Sequence, residues 1–192
     1  MDVKQLKEQI DQLFTKRSSF MLMLQEISEN FYPERADFTL TRDLGSDFAG
    51  WLSSSYPVMV RRELGDQLGT MLRPTAKEWF KITPQDDDRS DNESNKWLDW
   101  ATRIQRKEMY KRGSQFTRAT KEGDHDFATF GQCVLSVEMN KLADGLLYRN
   151  WHIRDVVWME NEQGEIGLVG RKWKPTARDL PKLFKNVHPN VT

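Results

Sequence analysis

Residues 116–138 read FTRATKEGDHDFATFGQCVLSVE, and this stretch decides the fold because it is a helix feeding a strand through one glycine. Phe116, Ala119, Gly123, Phe127 and Phe130 recur every three or four positions, the spacing of a single helical face. Gly131 stands where a left-handed C-cap belongs. After it, residues 134–139 turn β-like. The aromatic face needs apolar partners and the strand needs neighbours for its peptide groups, so helices are expected before this stretch and strands after it.

Working back, Leu6, Ile10, Leu13, Arg17, Phe20, Leu24, Ile27 and Phe31 alternate steps of four and three. This heptad seam, with Arg17 its only polar member, predicts one helix over residues 3–30, roughly 40 Å long at about 1.5 Å per residue. Pro33 ends it. Such a helix either lies on its own domain or enters a coiled coil. Residues 34–56 carry no period, and Gly45, Gly50, Ser53, Ser54 and Ser55 predict an irregular arm. Its Phe38, Phe48 and Trp51 are more aromatic than a plain linker, so the arm is expected to dock on something.

From Pro57 a second helix is predicted, its buried face formed by Val60, Leu64, Leu68, Met71 and Leu72. Trp79, Phe80, Lys81 and Ile82 form a short β-prone run, with Trp79 expected in the core, and residues 86–95 read as a solvated acidic loop. A third helix takes Trp97, Leu98, Ala101, Ile104 and Met109 and ends near Gly113. Working forward, Asp144-Gly145 marks a hairpin between residues 134–139 and 146–152. Residues 156–158 and 166–173 are further strands joined by a turn at 161–164, and Thr176 precedes a short last helix. The expected fold class is α+β, with long helices over the first two thirds packed beside a small, mainly antiparallel sheet. Three parts are expected: a helix over 1–33, an arm over 34–56, and an α+β domain over 57–192.

Basic and acidic residues balance at 29 each, so no net field draws the chain to nucleic acid or anionic lipid. The amino-terminal residues are interrupted throughout by charge and resemble neither a signal peptide nor a membrane span, which predicts a soluble chain made in the cytosol. Cys133, the one cysteine, has no internal partner for a disulfide.

Chemistry finds little purchase. Asp86, Asp87 and Asp88 point in different directions and lack the alternating oxygen ligands of a calcium loop. In Glu122, Asp124, His125 and Asp126, only Glu122 and Asp126 share a helical face, and no second histidine is suitably spaced for a transition metal. Cys133 as a nucleophile needs His125 or His152 as its base, and its place at the start of an apolar strand favours an inert thiol. Gly164, Gly167 and Gly170 lie in or beside a strand run and make no phosphate cradle. Arg61-Arg62, Arg103-Arg106-Lys107 and Lys111-Arg112 are basic clusters on helices. No catalytic, cofactor or metal site is expected.

An ordered series of segments nevertheless resembles the amino-terminal part of the portal, or head-to-tail connector, proteins of short-tailed bacteriophages. It comprises the long first helix ending in Phe31-Tyr32-Pro33, and the Ser-rich arm before a helix that closes as Leu72-Arg73-Pro74-Thr75. Glu78-Trp79-Phe80-Lys81-Ile82 and the run from Asp126 to Leu135 follow, then Asp155-Val156-Val157-Trp158, Gly164-Glu165-Ile166 and Arg171-Lys172. The resemblance implies a non-enzymatic structural subunit of a ring, usually a dodecamer, at one vertex of the virion and assembled in the host cytoplasm. Its implied partners are sister copies, major capsid and scaffolding proteins, the terminase, the tail adaptor, and double-stranded DNA passing through the channel. The matched portion is the peripheral wing. Family members are usually longer, so stem, clip and crown are expected to follow Thr192, and truncating residues 34–56 is expected to spare the fold while weakening the ring. A nucleic-acid-binding or processing protein using the basic clusters is the alternative reading.

Overall fold

The computed structural model describes residues 2–43, 45–47, 49–74, 77–84 and 91–184. Phe48, Thr75 and the Asp86-Asp87-Asp88 run lie outside them. The order is α1 (Val3–Lys16), α2 (Ser18–Phe31), α3 (Tyr56–Leu72), α4 (Asn92–Met109), α5 (Phe116–Phe130), β1 (Val134–Met139), β2 (Leu146–Trp151), β3 (Val156–Glu160), β4 (Ile166–Arg171) and α6 (Leu180–Leu183). This is an α+β fold. The strands form two separate antiparallel hairpins, β1 with β2 and β3 with β4. The chain divides into two compact units, one from residues 1–15 and 154–192, the other from residues 16–153.

The expected single first helix is two. It breaks at Arg17, whose φ of −85° and ψ of 1° leave the helical basin, just before the pair Ser18-Ser19. Neighbouring serines weaken a helix at a point, and the guanidinium of Arg17 is drawn off to the Ile153 carbonyl at 3.4 Å.

In the smaller unit, β3 and β4 pair from Val156 with Arg171 to Glu160 with Ile166, with an irregularity at Met159/Glu160. Val156 and Val157 are buried. Gly170 lets α1 come close, because a Cβ there would stand 2.8 Å from Ile10 Cγ2. Lys172 fixes the same contact from the rim, with its ammonium 2.8 Å from Asp11 and 4.1 Å from the Phe14 ring centroid.

In the larger unit the apolar core joins Leu24, Phe38 and Ile153, with Phe20, Met21, Ile27, Phe130 and Val134 packed around them. Phe38 belongs to the arm, so the arm docks on its own chain. Gln25 holds it there: its amide oxygen accepts from the Phe38 and Thr39 N–H groups at 2.8 and 3.2 Å, and its amide nitrogen donates to the Ala36 carbonyl at 3.0 Å. A second, aromatic cluster surrounds Phe116, with Tyr110 and Tyr148 edge-on and Trp79 stacked 6.3 Å away. Trp79 is only half-buried. Its segment is not a strand, and α4 holds it through Thr102 Oγ1, which accepts from Ile82 N–H at 3.1 Å.

Helix α5 ends as expected at Gly131, with φ +69° and its N–H donating to the Phe127 carbonyl. Its buried face is the expected one save at one position, and Phe130 packs on the apolar core. Phe116, Ala119 and Gly123 point inward, but Phe127 is 51% exposed and Asp126 is buried in its stead. Both hairpins close on an asparagine: Asn140 Oδ1 accepts from the Leu142 and Asp144 N–H groups, and Asn161 Oδ1 accepts from Gln163 and Glu165. Each side chain replaces the backbone bonds that the loop would otherwise lack.

Candidate assembly interface

Helix α3 sits inside out. Its buried residues are Arg61 and Gly65, whereas of the stripe expected to face the core Val60, Leu64, Met71 and Leu72 are exposed, Met71 at 79%, and Leu68 is half-buried; Tyr56 and Met59 are exposed with them. The cause is the close approach of α3 to α5. A Cβ on Gly65 would fall 2.3 Å from His125 Nδ1, and one on Gly69 would fall 2.8 Å from Asp124 Oδ2. Only glycine permits that spacing on two successive turns.

Polar contacts then fix the pair. The Arg61 guanidinium donates to the Phe31 carbonyl at 3.2 Å, lies 3.1 Å from His125 Nδ1, and stacks 3.8 Å above the Tyr32 ring centroid. An arginine can only donate, so Nδ1 accepts and Nε2 carries the proton toward Asp66, 3.4 Å away. Burial, and then the charge of Arg61, push the His125 pKa below its ordinary value. One helical turn beyond Gly69, Arg73 pairs with Asp124. Asp126, 1% exposed, accepts from Arg35 at 3.1 and 2.7 Å and from Asn150 at 2.7 Å. A buried carboxylate with three donors is satisfied structurally.

The acidic run of α5 is therefore dispersed: Glu122 takes Arg118, Asp124 takes Arg73, His125 takes Arg61, and Asp126 takes Arg35. Among the described residues no three His, Cys, Asp or Glu side chains gather in a way that would hold a metal ion. Cys133 is half-buried, and burial raises its thiol pKa, which keeps it protonated and poor as a nucleophile. His152 lies 2.7 Å from Asp37 instead. Gly164 turns the β3–β4 hairpin with φ +78°, while Gly167 and Gly170 lie in β4. Of the basic clusters, Arg61 is buried, and Arg62, Arg103, Lys107, Lys111 and Arg112 are exposed.

Helix α4 shows part of the same pattern. Of its expected apolar positions Met109 is buried, beside Thr102, and Leu98 and Ala101 are half-buried, but Trp97 and Ile104 are exposed at 61% and 40%, and so is Trp100 at 52%. Each of the two helices thus leaves several large apolar side chains exposed to water, the kind of surface that marks an interaction site when it is contiguous. Sequence periodicity places most of these side chains on the wrong side. The missed signal is Arg61, Gly65, Gly69 and Arg73, four residues apart throughout, which mark a close-packed polar face as plainly as leucines mark an apolar one. Among the described residues no helix is long and apolar enough to cross a membrane.

No curated protein matches the chain. The family model for bacteriophage head to tail connecting protein, however, matches residues 3–192, and it gives the exposed apolar side chains a context: the chain belongs to that family of structural phage proteins and is a component of the virion with a head–tail structural role.

Proposed function

We propose that the chain is a subunit, or the wing region, of a portal ring at the head–tail vertex, in which sister copies pack side by side through the outward stripe of α3. The observation that carries this reading is the inverted helix. A helix that hides Arg61 and Gly65 while showing Tyr56, Val60, Leu64 and Met71 gains little from those apolar residues until another surface covers them. Neutral overall charge fits a region that meets protein before nucleic acid. Capsid and scaffolding proteins, the terminase, the tail adaptor and DNA in the assembled channel are the further partners of this role.

Native mass spectrometry with negative-stain imaging tests it. The parent chain should form closed rings of many copies, and Leu64→Lys with Met71→Lys should yield small species with an unchanged melting temperature. A parent chain that forms no ring at any concentration, or a double variant that still forms rings, overturns the reading.

A further inference from the structure

We infer that α4 is a self-pairing helix: two copies of the chain dock antiparallel along Glu93, Trp97, Trp100, Ile104 and Lys107, with Trp100 on the twofold axis. The positions fall four, three, four and three apart and so form one stripe, opposite the buried Thr102 and Met109. All five are exposed. Trp97 and Trp100 lie with ring centroids 6.5 Å apart and form an aromatic plate at its middle.

The order of this stripe identifies its occupant. It begins with an acid, ends with a base, and is apolar between, so it is complementary to its own reverse. Laid antiparallel on a second copy, Glu93 meets Lys107 at both ends, Trp97 meets Ile104 twice, and Trp100 meets Trp100. A parallel pair would set Glu93 on Glu93 and Lys107 on Lys107, like charge on like charge. The antiparallel pair also opposes the two helix dipoles favourably. Such a contact is isologous and closes at two copies, unlike the side-by-side packing that generates a ring, so it does not rest on the portal reading. It describes a paired form of the free subunit, or a contact between two assemblies.

The test is sedimentation equilibrium on the full chain carrying Leu64→Lys and Met71→Lys, which removes the α3 stripe and leaves α4 intact. This chain should dimerise reversibly. Glu93→Lys and Lys107→Glu should each raise the dissociation constant about tenfold, because symmetry turns two attractive pairs into two repulsive ones. The double exchange, and an equimolar mixture of the two single exchanges, should restore pairing to within about twofold of the unexchanged chain. A monomeric chain, or single exchanges without effect, overturns the proposal. Weakening that neither the double exchange nor the mixture repairs overturns it too, by showing that α4 docks on another surface. A second measurement is independent of the charge exchanges: in a Cys133→Ser background, Trp100→Cys should give a disulfide-linked dimer under mild oxidation, whereas Leu142→Cys, on an exposed hairpin loop, should not. Equal cross-linking at both positions would count against the axis at Trp100.

Discussion

Gly65 and His125 are packed without room for a methyl group, and each makes a prediction. Gly65→Ala puts a methyl group where the imidazole now lies, 2.3 Å from Nδ1. The ring is held by Arg61 and Asp66 and cannot simply step aside. Overpacking of this kind costs about 1–3 kcal/mol, which lowers the melting temperature of a chain this size by about 2–4 °C per kcal/mol. Scanning calorimetry measures it. Because the folded-state pKa of His125 is lowered from 6.5, the unfolded chain takes up the proton first as pH falls, so the contribution of His125 is complete above 6.5 and is lost progressively below it. The groups facing the ring agree in part: Arg61 and Lys121 oppose its charge, and Asp66 and Asp124 favour it. His125→Gln keeps an acceptor for Arg61 and a donor for Asp66 but has no proton to gain. Between pH 7 and 5 the parent should therefore lose more stability than the variant, as read from urea midpoints; parallel losses would remove His125 from the acid response. None of this was legible residue by residue, since Asp126 and His125 read as a failed catalytic cluster until their partners, as distant as Arg35 and Asn150, were brought beside them by the fold.

At the scale of elements, what is local was legible and what depends on a neighbour was not. Helix α5, its Gly131 cap, both hairpins and the short last helix are written in spacing and turn chemistry that operate within a few residues. The break at Arg17 is also local, and the pair Ser18-Ser19 carries the signal beneath a stronger heptad pattern. The run at Trp79 failed as a strand because β propensity forms a strand only where an edge is paired, and the run joins neither hairpin. Its side chain is stacked on Phe116 and donates to Tyr110 Oη at 3.2 Å, yet it is half-buried. Trp79→Ala should thus cost about 2–3 kcal/mol rather than the larger penalty of a fully enclosed indole, measurable by chemical denaturation. The arm behaves differently from the expectation of a dispensable appendage. Removing residues 34–56 strips Phe38 from the core, Arg35 from Asp126 and the partners of Gln25. A deletion should fail to give a cooperative melting transition, because loss of one partner of a buried ion pair alone costs about 3–5 kcal/mol. A deletion that melts like the parent would show the larger unit to be complete without its arm.

At the scale of the whole molecule, the family and the exposed apolar side chains of α3 and α4 together describe a protein whose chemistry lies in what it touches. Balanced charge and the absence of a phosphate cradle among the described residues predict that the isolated chain binds duplex DNA weakly. A gel-shift assay showing tight binding that falls steeply with salt would instead favour the nucleic-acid reading. Fold class and family context could be reached from the sequence because helix and strand periods and the order of segments survive without coordinates. Which side of α3 and α4 faces outward could not, since periodicity reports that a stripe exists and is silent about whether the same chain covers it.

The glycine-lined seat of α3 carries an implication for anyone who wishes to handle the free protein. Because the seat grips the helix by its polar flank, the opposite flank is editable: Tyr56, Leu64 and Met71 can be exchanged for hydrophilic residues with no change to what holds the helix in place. On the proposed ring reading, solubility in isolation and competence to build a larger particle are separate properties written on two sides of one cylinder.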